Sequence, residues 1–300
     1  MAEATMDASA KTAPEEKESL WKDVWYSLSH NMAAMVSLVF ILLLVVIAIV
    51  TKVFPGIVPC DPYAQDLSQS FATPSAEHIF GCDQQGRDMF SRILVGTQVT
   101  LAVGVLSVAI SLTVGVTLGA IAGYKGGKVD TVIMRCMDIM LAVPSILLAI
   151  TFMAAFGKGI EKAVVAIGLV SIPEYARIVR SQILAVKESD YVAAARVIGD
   201  TDATIIVRHI LPNVMPSIIV RATLGISSAI LDCAALGFLG LGVQPPAAEW
   251  GDMLGRGRNY IFSAPHAMLF PGMAITLTVL AFNLLGDGVR DAFDPKARKR

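Results

Sequence analysis

Met32 to Thr51 carries no charged side chain, and about 20 apolar residues suffice to carry a helix across a bilayer core. This stretch is the first predicted span. Ile93 to Tyr124 is the second, also uncharged and longer than one crossing needs. Ile139 to Gly157 is the third, extended backwards through Arg135 and Asp138. Ala163 to Pro173 is the fourth and shortest, with Glu174 and Arg177 directly after it. Ser217 to Val243 is the fifth, interrupted by Arg221 and Asp232, and Ala267 to Gly286 is the sixth. Pro144 and Pro173 are expected to kink their helices or to sit at span ends. The fold class that follows is an all-α integral membrane protein with six transmembrane helices.

Six crossings place both termini on one side. Lys125 and Lys128 in a short turn, together with Arg298, Lys299 and Arg300 at the end of the chain, favour that side being the cytoplasm, hence N-in and C-in. The expected organisation is a cytoplasmic segment 1–30, a first transmembrane helix 31–52 and an external loop 53–92. A five-helix core 93–288 follows, containing a cytoplasmic loop 183–216, and then a cytoplasmic tail 289–300. The first residues are polar and predicted to be disordered, with Trp21 to His30 as a short interfacial helix. The apolar run after them is too long and too acidic at its front for a cleaved leader.

Composition agrees with the pattern. Hydrophobic residues make up 55% of the 300 and charged residues 16%, against about 25% charged in soluble domains. Mean hydropathy is +0.64. An ordinary soluble protein and a disordered one are both excluded. The net charge of −1 offers no field for nucleic acid. There is no GxxxxGK[ST], no HExxH and no GxSxG. His30, His78, His209 and His266 are scattered, and the four cysteines lack CxxC spacing. No catalytic residue, metal or cofactor is expected.

The most informative segment is the inside loop from Ser181 to Pro216. Tyr191 to Ile198 has helical composition, Gly199 ends it, and Asp200 to Asp202 offers a cap for a second helix running to Pro212. The predicted element is two short helices around a glycine. It is too apolar to lie bare in water: Ala193, Ala194, Ala195, Ile198, Ile205, Ile206 and Val207 need something to pack on. A groove on a partner protein suits such a helix.

Here a resemblance becomes specific. Ala194 and Ala195, then Gly199, then Leu211 and Pro212 resemble the EAA loop of ABC importer permeases, whose helix docks into the ATPase subunit. Ala193 stands where that family has glutamate. Gly81-Cys82-Asp83-Gln84-Gln85-Gly86-Arg87-Asp88 resembles the GTDxxGRD motif of peptide permease C subunits. Arg135, Asp138 and Pro144 resemble its third span. Ala234 to Gly240, Gln244-Pro245-Pro246 and Glu249-Trp250-Gly251 resemble its fifth span and following loop. Leu285 to Gly288, Arg290-Asp291 and Asp294-Pro295 resemble its C-terminal signature. The likeness runs from about residue 20 onward, towards the dipeptide branch.

The resemblance implies a type I ABC importer permease fold in a bacterial inner membrane. It implies a homologous permease chain as heterodimer partner, two cytoplasmic ABC ATPase subunits, a periplasmic solute-binding protein, and peptide as cargo. The docking residues it implies are Ala193, Ala194, Ala195, Arg196, Gly199, Leu211 and Pro212. Cys60 and Cys82 depart from the family, and in an oxidising compartment they either form a disulfide or stay two unrelated buried thiols.

Charged residues within spans are costly and usually face protein or water. Arg135 and Asp138, three apart on one face, are expected to pair, as a gate or as a structural ion pair. Arg221 is expected to snorkel towards the cytoplasm. Asp232, near mid-span, either attracts a peptide ammonium in the pathway or caps a broken helix. Gly115, Gly119 and Gly123 form two GxxxG steps that call for a close helix neighbour, its identity open. Loop 53–92 either meets the binding protein, roofs the pathway or is a passive connector. Two other readings stand: an ion-gradient-driven transporter, and an importer of a related cargo such as nickel complexes, haem precursors or antimicrobial peptides. A membrane hydrolase lacks a nucleophile.

Overall fold

Helices account for about three quarters of residues 20–294, the part of the chain this computed structural model describes. The disorder expected before Trp21 and the basic residues 295–300 lie outside the described residues. Among the latter, β-structure is one antiparallel bridge, Cys82 with Asp88.

Helix α1 (Leu20–His30) leads into α2 (Met32–Val53), which Asn31 caps by accepting from the Ala34 N–H at 3.1 Å. Trp25 and Tyr26 of α1 are exposed, while Leu28 is buried against Ala34 and Ala292. One apolar edge thus meets the protein, and the aromatic edge is left for an interface. The segment 54–88 has two short 3-10 turns and otherwise irregular backbone. Asp88 then caps α3 (Met89–Lys125) through the Ser91 N–H at 2.7 Å. At 37 residues α3 is about 55 Å long, nearly twice the ~30 Å hydrocarbon core.

The third expected span is a broken one. Helix α4 (Gly127–Leu141) stops at Pro144, and α5 (Ser145–Phe156) leaves at 92°. Proline excludes the helical conformation from the residue before it and donates no N–H. Helix α6 (Ile160–Val186) continues through Pro173, so the helix is far longer than the apolar stretch expected for the fourth span.

The loop expected on the cytoplasmic side, 183–216, also differs from expectation. Helix α7 (Asp190–Ile198) is the first of the two short helices and ends at Gly199, φ 96°, the left-handed cap that glycine adopts without steric cost. The second is not separate. A single turn, α8 (Asp202–Thr204), passes into a π-helical stretch Ile205–Ile210 and then into α9 (Leu211–Phe238) without a break. Pro212 has no N–H to bond the Arg208 carbonyl, and the Leu211 N–H reaches back to Ile206 instead. Helices α10 (Trp250–Gly257) and α11 (His266–Phe293) complete the chain.

Helices α3 and α6 form the tightest contact. Gly115, Gly119 and Gly123 face Ile172–Tyr175, Ala176 and Arg180–Ile183, and a β-carbon on Gly119 would stand 2.4 Å from the Ala176 carbonyl oxygen. Ser107 and Ser111 donate across the same contact to the carbonyls of Val164 (3.1 Å) and Gly168 (2.8 Å). The open GxxxG partner is therefore α6. Among the described residues, four helices are long and apolar enough to cross a membrane, Met32–Val53, Met89–Lys125, Asp202–Phe238 and His266–Phe293, and the α4–α5 pair can supply a fifth crossing.

Candidate functional site

The charges that interrupt the apolar pattern of α6 are each matched by a neighbouring helix. Arg180 meets Asp130 of α4 with two hydrogen bonds, 2.5 and 2.6 Å. Arg177 meets Asp138 of α4 at 2.9 Å. Glu174 pairs with Arg221 of α9. Two expectations are corrected here. Asp138 takes Arg177 and not Arg135, because α6 presents a guanidinium across the helix contact. Arg221 does not snorkel away: it is held by Glu174, and its guanidinium lies over the Tyr175 ring, 5.6 Å from the centroid.

A cavity of about 430 Å³ opens where α4 and α5 break apart. Ser107 and Ser111 of α3 line it, with Glu174 and Tyr175 of α6, and Arg221 and Asp232 of α9. The Arg221 Nε is buried and without a hydrogen-bond partner among the described residues. Of the three pathway residues expected from sequence, Asp232 lines this cavity; Arg135 and Asp138 do not. Glu174 and Arg221 were missed as site residues. Their signal was present as two charges in apolar surroundings, but nothing in the sequence pairs positions 174 and 221.

The α7 region sorts its residues by face. Val192 and Ala195 are buried among Val179, Ile183, Ile205, Ile210 and Val214. Ala193, Ala194, Arg196 and Gly199 are exposed, and Val197 (88%) and Ile198 (82%) almost fully so. Part of the apolar loop thus packs on its own chain, and a smaller apolar tip remains bare. Leu211 and Pro212 lie in the first turn of α9. The element is held by His209 against Asp200 (2.9 Å), by Tyr124 donating to Asp202 (3.1 Å), and by Arg196 over the Tyr124 ring.

Segment 54–88 is wired to the helices. The Asp83 carboxylate accepts from the Gln85 and Arg87 N–H groups (2.8 and 3.1 Å) and from the Arg87 Nε (2.7 Å). Arg92 donates to the Pro62 carbonyl at 2.9 Å. A ring nitrogen of His266, at the start of α11, lies 3.1 Å from the Cys82 carbonyl. The disulfide expected between Cys60 and Cys82 is not formed here; both are free thiols, Cys82 buried. Cys60, His78 and Asp88 do come together, which their scattered positions did not foretell.

Glu249-Trp250-Gly251 is a capping and docking device. Glu249 accepts from the Gly251 and Asp252 N–H groups at 2.7 and 2.8 Å, starting α10. The Trp250 indole donates to the Ile93 carbonyl at 3.0 Å. Burial pushes the Glu249 carboxyl up to about 7, the two N–H bonds opposing and Asp252 adding to the rise.

Residues 115–299 match the family of binding-protein-dependent transport system inner membrane components. Residues 19–74 match the N-terminal transmembrane domain of oligopeptide transport permease C. The chain belongs to this permease family. It is 47% identical over 281 residues to the dipeptide transport system permease protein DppC of Alkalihalophilus pseudofirmus, covering 93% of this chain and 91% of that one. It is 44% identical over 297 residues to the glutathione transport system permease protein GsiD of Escherichia coli, covering 99% and 97%. The methionine ABC transporter MetNI in an inward-facing form has a chain of the same fold, with TM-score 0.58 and 20% identity, covering 69% of this chain and 98% of that one.

The protein is thus an ABC importer permease of the peptide, dipeptide and glutathione group, with the type I importer fold, and a multi-pass protein of the inner membrane. Permeases of this kind are transport components that work with ATPase and binding-protein partners.

Proposed function

We propose that this permease carries dipeptides or short peptides inward through the cavity between α3, α4, α6 and α9, paired with a second, homologous permease chain. The observation that carries the reading is the presence of Asp232 and the Arg221–Glu174 pair in one cavity of about 430 Å³, a volume within the ~300–1,000 Å³ of small-ligand sites. A peptide brings an ammonium and a carboxylate, and the cavity offers a carboxylate for the first and a guanidinium for the second.

Helix α6 supplies the sixth crossing, its charges met by α4 and α9, so that both termini lie in the cytoplasm. Segment 54–88 then lies outside, where a solute-binding protein delivers cargo, and α7 lies inside. Its bare tip, Val197 and Ile198, docks into a groove of an ATPase subunit. Closure of two ATPase chains on ATP moves α7 as a rigid body, and α9 transmits the motion because the chain is helical without a break from Asp202 to Phe238.

A second cargo, glutathione, is favoured by the 44% identity to glutathione permeases over 297 residues. The test is uptake of labelled dipeptide by proteoliposomes holding the whole importer, with unlabelled dipeptide or glutathione as competitor. Uptake that requires ATP and falls in Asp232→Asn supports the peptide pathway. Uptake unaltered by that change removes Asp232 from it, and uptake driven by an ion gradient without ATP overturns the importer reading. Competition by glutathione alone assigns the second cargo.

A further inference from the structure

Cys60, His78 and Asp88 each offer one ligand atom, a thiol sulfur, a ring nitrogen and a carboxylate oxygen, and these atoms all lie within 4.8 Å of one another. We propose that these three residues form a zinc-binding site that clips the segment between α2 and α3 to the start of α3.

The donor set selects the metal. Thiolate and imidazole beside a single carboxylate suit Zn²⁺, whereas Ca²⁺ and Mg²⁺ take oxygen ligands. The spacing is close to what is needed. Zinc bonds of about 2.0–2.3 Å in a tetrahedron place ligand atoms about 3.3–3.6 Å apart. His78 Nδ1 and Asp88 Oδ1 already stand 2.9 Å apart, so they need only open slightly around an ion while Cys60 closes in.

The ligands are held in advance by other bonds. Asp88 is buried and spends its Oδ2 on the Ser91 N–H at 2.7 Å, which leaves Oδ1 facing His78. The Ser91 hydroxyl in turn accepts from the Cys60 N–H at 3.1 Å. The His78 N–H is bonded to Ser75 at 3.1 Å. One residue of α3, Ser91, therefore positions two of the three ligands, the kind of outer support that metal sites use. The Asp88 and Glu77 carboxylates set a negative field at the Cys60 sulfur. That field favours a divalent cation. On binding, the sulfur–hydrogen bond gives way to a sulfur–zinc bond and the proton leaves to solvent. Three protein ligands leave a fourth position for water.

The experiment uses the full chain, purified in detergent and stripped with chelator, with Co²⁺ as the spectroscopic probe. One Co²⁺ per chain should give a near-ultraviolet thiolate-to-cobalt band that one equivalent of Zn²⁺ removes. Cys60→Ser should abolish the band, and His78→Ala should weaken binding by more than the ~10–100-fold that loss of an outer-shell partner costs. Both changes leave the Asp88 cap of α3 in place. In the unaltered chain, Zn²⁺ should protect Cys60 from alkylation and leave the exposed Cys136 open to it, a readout that needs no variant. A band that persists in Cys60→Ser, no retained metal, or equal alkylation of Cys60 with and without Zn²⁺ overturns the site.

Discussion

The carbonyl oxygen of Ala176 occupies the space that a side chain on Gly119 would need, with only 2.4 Å between that oxygen and an added β-carbon. The obstacle is backbone, which cannot swing aside as a flexible side chain can. Gly119→Leu must push α6 away from α3, and should cost about 1–3 kcal/mol or more of stability. Thermal unfolding in detergent measures it. Gly56→Ala is the control: nothing lies within 4 Å of its position, so its change should stay within about 0.5 kcal/mol.

Glu174 and Arg221 should be energetically coupled, but modestly. Their side chains are 48% and 24% exposed, so solvent screens the pair. A double-mutant cycle of Glu174→Gln and Arg221→Gln should give a coupling of about 0.5–1 kcal/mol. A coupling of zero would mean that the cavity does not hold the pair together. Uptake by the whole importer, measured on the same variants, separates this structural role from one in transport.

Gly199→Arg should disconnect the permease from its ATPase without unfolding it. The φ of 96° penalises any L side chain by about 1–2 kcal/mol, yet no atom lies within 4 Å of a β-carbon there. The variant should insert into membrane normally and lose ATPase subunits in a pull-down from mild detergent. Gly199→Ala should retain most of them. If the arginine variant keeps its ATPase, the docking surface is elsewhere.

The Glu249 carboxyl, pushed up to about 7, makes stability depend on pH. Its unfolded value is near 4.5, so between these values the folded state holds the proton more tightly. The contribution is fully present below about 4.5 and is lost as pH rises through about 7. The unfolding temperature should fall over that window, and Glu249→Gln should flatten this part of the fall while its side-chain oxygen can still cap α10. An unchanged profile in the glutamine variant would show that other groups set the slope.

Particular residues show why some of this was legible and some not. The uncharged run from Met32 announced α2, and Gly199 announced the end of α7, because each is a local property of chain and solvent. Helix α6 was cut short at Pro173, since Glu174, Arg177 and Arg180 read as the polar edge of a span. Their partners Arg221, Asp138 and Asp130 stand 39 to 50 positions away, and no local pattern reports on them. Pro144 foretold a kink, but the size of the turn, 92°, is not a property that local sequence reports.

By itself the sequence determined that the chain is helical and membrane-bound, that it resembles the permease family, and where the glycine cap of α7 falls. Apolar run length, turn chemistry and motif spacing act over a few residues and are written in order along the chain. Only the tertiary structure decided that α6 is the partner of Gly115, Gly119 and Gly123, that Arg221 turns to Glu174, and that Cys60, His78 and Asp88 meet. Those outcomes depend on which helices lie side by side. Hydrophobic burial is non-directional, and it is close packing between whole helices, sensitive to a single added carbon, that selects one arrangement among many.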